Sequence, residues 1–301
     1  MTMFRGGFSR FLAPGFRKIV FTAFTNKERP AEGPKLVNQN TERSRAWVED
    51  IEVAGFGTLQ PKVEGGPITY QDIPTGTPKR YTWTTFALGF RITQEMMEDD
   101  LYAIFGNKMS KALGKSARNN QEVVMFSPFN NAFDTTVNGF RAGEALIGNH
   151  VGLRGATLSN APATPTDLTL PALQAAFEHF HNLKDDSGIA AMYRPAKLVH
   201  SIGDYWIANQ ILKSQFLPGG NQNDINQIAR EGITPTLVHY LTDPDAWFVL
   251  ADDTDINYFS RRPFTMANMD DFETGDAKFK GSLRNGAGFG GWRGVYGSSG
   301  V

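Results

Sequence analysis

LTDPDAWFVL, residues 241–250, places Asp243, Pro244 and Asp245 directly ahead of Trp247, Phe248, Val249 and Leu250. Asp side chains hydrogen-bond their own local backbone and Pro fixes φ, so the acidic stretch reads as a turn. A short continuous apolar run bounded by turn residues reads as a strand. The pattern then repeats in DDTDINYFSRRPF, residues 252–264, where a second acidic turn feeds a second strand that ends on Arg261 and Arg262.

Upstream, NAPATPTDLTLP (160–171) is rich in Pro and Thr and marks a boundary. Pro171 suits a first helical turn, and Leu173, Phe177 and Phe180 give the buried stripe of a helix that ends near DDSG at 185–188. A strand at AKLVHS, a helix at GDYWIANQILKS, a polar loop at PGGNQNDIN and strands at TLVHYL and AWFVLA follow. Helices alternating with apolar strands predict an α/β unit over 165–251. The last fifty residues are glycine-rich β sequence finishing on WRGVYGSSG.

The longest helical signal runs from 93 to 126, with Met97, Leu101, Phe105, Met109 and Ala112 as its apolar stripe. Acidic residues cluster near its start and Lys108, Lys111, Lys115 and Arg118 follow, in agreement with the helix macrodipole. Gly106 and Gly114 inside it predict a bend or the close approach of another backbone. Before it, residues 49–92 read as a β-ribbon: Tyr81, Trp83 and Thr85 alternate with Thr82, Thr84 and Phe86, and PTGTPK (74–79) offers turn chemistry. An isolated two-stranded ribbon is marginal in water, so it predicts a partner surface. Residues 1–48 hold too many Gly and Pro for a stable helix, yet Phe4, Phe8, Phe11, Phe16, Phe21 and Phe24 are too many aromatics for a solvated tail. An extended arm docked on its own or a neighbouring subunit is the expectation, with Arg5, Arg10, Arg17 and Lys18 either solvated or meeting phosphates.

Composition narrows the chemistry. The chain has 301 residues, 30 Lys plus Arg against 31 Asp plus Glu, and no cysteine. No global charge recruits nucleic acid or membrane, although a local patch remains open, and neither disulfides nor thiolate chemistry is available. No stretch approaches the roughly 20 apolar residues of a membrane span, and no clean cleavage site follows the N-terminal apolar run. His179 and His181 are two apart on a predicted helix and diverge, so no metal ion is expected there. No Walker A, GxSxG or HExxH motif occurs, and GAGFGG (286–291) reads as tight turns in β structure. Asp252, Asp253 and Asp255 suit a turn, with a cation site or a pair of acids as the sharper alternative.

The order of parts, an aromatic arm, a β-ribbon, a long helix, an inserted α/β domain and returning strands, resembles the major capsid proteins of tailed bacteriophages with the Hong Kong 97-type fold. The motifs that carry it are EALIGNHVGLRG (144–155), the Pro195 to Val199 strand, WIANQILKS (206–214) with its Pro, Gly and Asn loop, LTDPDAWFVL, SRRPF (260–264) and WRGVYGSSG (292–300). The resemblance implies an α+β fold divided into an arm (1–48), an extended ribbon loop (49–92), a peripheral domain with a spine helix (93–164), an axial domain (165–251) and a peripheral return (252–301). It implies a structural protein, not an enzyme, without cofactor or metal. Such a protein assembles in the host cytoplasm as pentamers and hexamers into the icosahedral shell of a virion around double-stranded DNA. Portal, scaffold and decoration proteins are further partners in that family. Phe8, Phe11, Phe16, Tyr81, Trp83, Arg261, Arg262 and Arg293 are the expected inter-subunit contacts. An encapsulin-like compartment shell shares the fold, and an α/β enzyme with a site in or near 165–251 is the other alternative.

Overall fold

The computed structural model describes residues 8–25, 31–99, 102–136, 143–216, 225–271 and 273–301. In chain order the elements are α1 (Phe8–Phe24), β1 (Asn38–Thr41), β2 (Val48–Asp50), β3 (Lys79–Tyr81), β4 (Thr84–Ile92), α2 (Gln94–Glu98), α3 (Tyr102–Asn130), β5 (Asn149–Val151) and β6 (Thr157–Ser159). Then come α4 (Leu170–Asn182), β7 (Pro195–His200), α5 (Tyr205–Lys213), β8 (Thr234–Leu237), β9 (Trp247–Ala251), β10 (Ile256–Asp270), β11 (Ala277–Phe289) and β12 (Val295–Ser298). They form two compact units: one of residues 1–47, 82–125 and 258–287, the other of 48–81, 126–257 and 288–301.

The first unit is a sheet of order β1-β10-β11-β4 with helices on one face. β11 runs antiparallel to β4 in unbroken register from Ala277↔Ile92 to Asn285↔Thr84. Ala277, Phe279 and Leu283 alternate inward along β11, and Phe264 of β10 joins them. Onto this face pack Phe16 and Val20 of α1 together with Leu113 and Ala117 of α3.

Four expectations change here. The N-terminal segment is helical over 8–24 rather than extended, because Phe16, Val20 and Ala23 recur at helical spacing and are buried. Tertiary burial outweighs the penalty of Pro14 and Gly15. The long helical signal divides into α2, capped by the Thr93 hydroxyl accepting from the Met96 N–H at 3.4 Å, and α3, which continues to Asn130. The buried face of α3 is also rotated from the predicted stripe: Gly106, Ser110, Leu113, Gly114 and Ala117 are buried, whereas Phe105 and Ala112 are exposed. Met97 and Leu101 lie outside the described side chains. A Cβ on Gly106 would collide with the Phe16 ring, and one on Gly114 with the Val20 carbonyl oxygen. The small residues are what let α1 approach so closely. Finally, β4 belongs to this sheet and not to the ribbon.

The second unit holds a sheet of order β12-β9-β7-β8, with β7 parallel to β8 and antiparallel to β9. Every residue of β9 is buried, as its continuous apolar run requires. The core adds Leu173, Ala176 and Phe180 of α4 and Ala208, Ile211 and Leu212 of α5. The Thr169 hydroxyl caps α4 by accepting from the Ala172 N–H at 3.3 Å. The eighth strand begins two residues before the predicted TLVHYL, and the final strand, expected in a peripheral return, pairs with β9 instead. The polar loop PGGNQNDIN falls mostly outside the described residues.

Candidate functional site

The ribbon is a hairpin spanning 48–81, not 49–92. At its root β2 and β3 pair antiparallel, Val48↔Tyr81, Glu49↔Arg80 and Asp50↔Lys79. Further out, the Gly76 N–H donates to the Glu52 carbonyl at 2.8 Å, the Ala54 N–H to the Pro74 carbonyl at 3.1 Å, and the Gly57 N–H to the Gln71 side-chain carbonyl at 3.0 Å. The hairpin reverses at Val63–Gly66, where the Gly66 N–H donates back to the Val63 carbonyl at 3.0 Å and Gly65 takes a φ of +76°. PTGTPK, the expected turn, lies instead on the returning limb. Both stretches contain turn residues, but a left-handed residue closes the reversal and Gly65 supplies it.

Between root and tip the ribbon exposes Val53, Phe56, Leu59, Val63, Ile68 and Tyr70. Leu59 is 99% exposed and Tyr70 86%. The two limbs enclose an open groove of about 630 Å³ lined by Phe56, Leu59, Ile68 and Tyr70 among others. A contiguous run of large apolar side chains on a protruding hairpin is a surface prepared for another molecule.

The root, by contrast, is rigidly built. Lys79 is buried: its ammonium donates to the Phe289 carbonyl and sits 3.7 Å from the Phe289 ring centroid. Burial lowers its pKa to about 7, partly opposed by Asp255 and Asp50. Asp255 is pushed up by burial, and its carboxylate and that of Asp50 occupy the space beside Gly290 that a Cβ would take. Asn257 donates to the Asp255 carboxylate at 2.9 Å. Arg293 spans from Glu52 (3.0 Å) to Asp186 (2.8 Å) with its guanidinium 4.8 Å from the Trp292 ring. His150 stacks on Trp292 with 4.3 Å between ring centroids. The Ser187 hydroxyl donates to the Gly55 carbonyl at 2.8 Å. Ion pairs, a stack and main-chain bonds thus clamp one end of a hairpin whose other end is bare.

The expected contact residues separate accordingly. The side chains of Phe8 and Phe11 lie outside the described residues. Phe16 is buried in its own chain, 5.4 Å from Phe279 and 6.4 Å from Phe90, edge to face. Trp83 is buried against Phe259 at 5.2 Å and donates its indole N–H to the Arg45 carbonyl. Tyr81 is buried at the ribbon root. Arg293 makes its ion pairs within the chain. These four side chains pack within their own chain. Arg261 is half-buried, and Arg262 is exposed with a bond to the Ser282 hydroxyl at 3.3 Å. The sequence reading missed the ribbon's own apolar residues; the signal was PKVEGGPITYQDIP, where Val63, Ile68, Tyr70 and Ile73 sit among breakers that prevent a packed strand.

Among the described residues, no three His, Asp or Glu side chains converge as a metal site, and no helix is long and apolar enough to cross a membrane.

A family model described as "Phage capsid protein" matches residues 76–298. The chain belongs to the phage capsid protein family. A search of curated protein sequences finds no match. Among solved structures, the capsid of Myoviridae phage XM1 is 11% identical with a TM-score of 0.57, covering 92% of each chain. The virus-like particle from Pyrococcus furiosus is 11% identical at a TM-score of 0.55, covering 95% of this chain and 98% of that one. The procapsid of bacteriophage JBD30 is 13% identical at 0.53, covering 96% and 74%. At such identities the likeness is one of fold, and the fold is the α+β capsid fold. Family and fold agree on a phage capsid protein.

Proposed function

We propose that copies of this capsid protein assemble, as pentamers and hexamers, into a closed icosahedral shell around double-stranded DNA, each ribbon lying across an adjacent subunit. The observation that carries this reading is the clamped hairpin with eight exposed large apolar side chains, Ile51 and Ile73 included. Full burial of a Leu, Ile or Phe side chain contributes about 1.5–3 kcal/mol, part of which is offset by the entropy of association. Contacts of that size, repeated around every subunit, stabilise the whole while a single misplaced copy still dissociates. Ile202 and Trp206, exposed at the start of α5, supply a second apolar surface for contacts around the symmetry axes. Arg262 is positioned for a polar contact between copies. The protein acts as structure and not as a catalyst, is built in the host cytoplasm, ends in the virion, and meets portal, scaffold or decoration proteins there. An encapsulin-like compartment would use the same fold, but the phage capsid family model favours the virion.

Negative-stain electron microscopy of the purified protein tests this. Closed shells of uniform size are the expected result; small monodisperse particles at every concentration would refute it.

A further inference from the structure

The chain is nearly neutral, yet its cations are not evenly spread. Between Tyr102 and Gln121, α3 carries Lys108, Lys111, Lys115 and Arg118 and no acidic residue at all. Over its 17 residues, α1 carries Arg10, Arg17 and Lys18, again with no acid. Both helices pack on the same face of the sheet, the face that presents Phe279 and Leu283 of β11. Burial fixes which way the cations point. Gly106, Ser110, Leu113, Gly114 and Ala117 face inward on α3, so Lys108, Lys111 and Lys115, all exposed, occupy the opposite side. On α1, Phe16 and Val20 face inward and Lys18 is exposed on the far side. Among the described residues none of these four lysines enters an ion pair.

Lys108, Lys111 and Lys115 stand three and four residues apart on one helix and repel one another weakly, a repulsion that a polyanion relieves. From Lys108 to Lys115 the stripe runs about 10 Å along the helix. Duplex DNA presents one phosphate charge per about 1.7 Å of axis, so the stripe spans several phosphates. Exposed Asn107, Ala112, Ser116 and Asn119 flank it, offering no apolar groove to hold an acidic peptide segment. Lysines on long flexible stems suit phosphates without reading bases.

We infer that the outward faces of α1 and α3, through Lys18, Lys108, Lys111 and Lys115, bind the DNA phosphate backbone without sequence preference and line the inside of the shell. This rests on the shell reading above.

The test is fluorescence anisotropy of the full-length protein with a random-sequence duplex of about 30 base pairs, between about 50 and 200 mM salt. The K18Q/K108Q/K111Q/K115Q protein is expected to bind at least about tenfold more weakly and to show a log affinity against log salt slope shallower by about 3.6, since each lost phosphate contact removes about 0.9. A charge-matched K35Q/K184Q/K213Q/K280Q control is expected to keep both affinity and slope. Wild-type binding by the first variant, or an equal loss in the control, overturns the inference; so does a polyglutamate peptide that binds the wild type more tightly than DNA at equal salt. Circular dichroism confirms that both variants are folded. Electron microscopy of the same preparations separates the two levels: wild-type shells with an unchanged DNA slope in the variant refute the lining alone, whereas absence of wild-type shells refutes the shell.

Discussion

The ribbon and the four-stranded sheet of the same unit are both rich in large apolar residues, and they treat them in opposite ways. β9 buries Trp247, Phe248 and Val249 completely, while the ribbon leaves Leu59 and Tyr70 almost bare. The sheet has four strands, two helices and aromatic neighbours such as Phe129 and Phe133, at 5.4 and 5.9 Å from Phe248. The ribbon has two limbs, few cross-bonds and nothing of its own to pack on. Two apolar segments of one chain are therefore stabilised by different things: the sheet by the chain itself, the ribbon, on the proposed shell reading, by other copies.

The sharpest way to break that comparison is to truncate one side chain in each region. Phe248→Ala removes a fully buried ring and is expected to lower the unfolding free energy by about 3–5 kcal/mol, read from urea denaturation of the unassembled protein. Leu59→Ser with Tyr70→Ser is expected to move the same midpoint by less than about 0.5 kcal/mol, because exposed side chains contribute little to a monomer. Shell yield by sedimentation should nevertheless collapse. A ribbon variant that unfolds as easily as the core variant would mean the hairpin is already packed on its own chain.

A smaller but sharper effect is expected where α1 meets α3. Gly114→Leu forces a side chain onto the Val20 carbonyl oxygen and the Ala23 methyl, and backbone cannot yield as a side-chain tip can. The expected loss is on the order of 2–3 kcal/mol by urea denaturation, against about 1 kcal/mol or less for Ala112→Leu, two positions away on the exposed face. Equal effects at the two sites would show that α1 does not sit where the glycines leave room.

That helix pair also shows how far the sequence could be read. LTDPDAWFVL was legible because a strand buried on both faces needs only its own apolar run and a turn, both local features. α4 and α5 were legible for the same reason, through Leu173, Phe177 and Phe180 and through WIANQILKS. The α1 helix was not, since Pro14 and Gly15 argue locally against it and the compensating contacts come from residues some 90 positions away. On α3 the search for a hydrophobic stripe selected Phe105, whereas close helix packing had selected the small residues Gly106, Ser110 and Gly114. The ribbon shows the same limit: Tyr81 and Trp83 stand out as aromatics in the sequence, yet both are buried within the chain, while the exposed apolar residues lie beyond the last regular pairing among breakers.

The two regions should finally differ in how they respond to pH. At the ribbon root the buried Lys79 has its pKa lowered from 10.5 to about 7. The unfolded chain therefore binds this proton more readily than the folded one between about pH 7 and 10.5, and stability rises with pH across that window. Beside the four-stranded sheet of the second unit, Asp204, buried near the like charges of Asp245 and Asp167, is raised from 3.8 to about 6, first by burial and then by those charges. Its folded form holds the proton more tightly, so its stabilising contribution is complete below about pH 4 and is lost as pH rises through 6. Asp204→Asn is expected to flatten the dependence between pH 4 and 6 and to stabilise the protein at pH 7 by on the order of 1–2 kcal/mol. Lys79→Met is expected to flatten the rise above pH 7 and leave the acid limb unchanged. Urea midpoints measured from pH 4 to 9 check both, and an acid limb that survives Asp204→Asn would place the titrating group elsewhere.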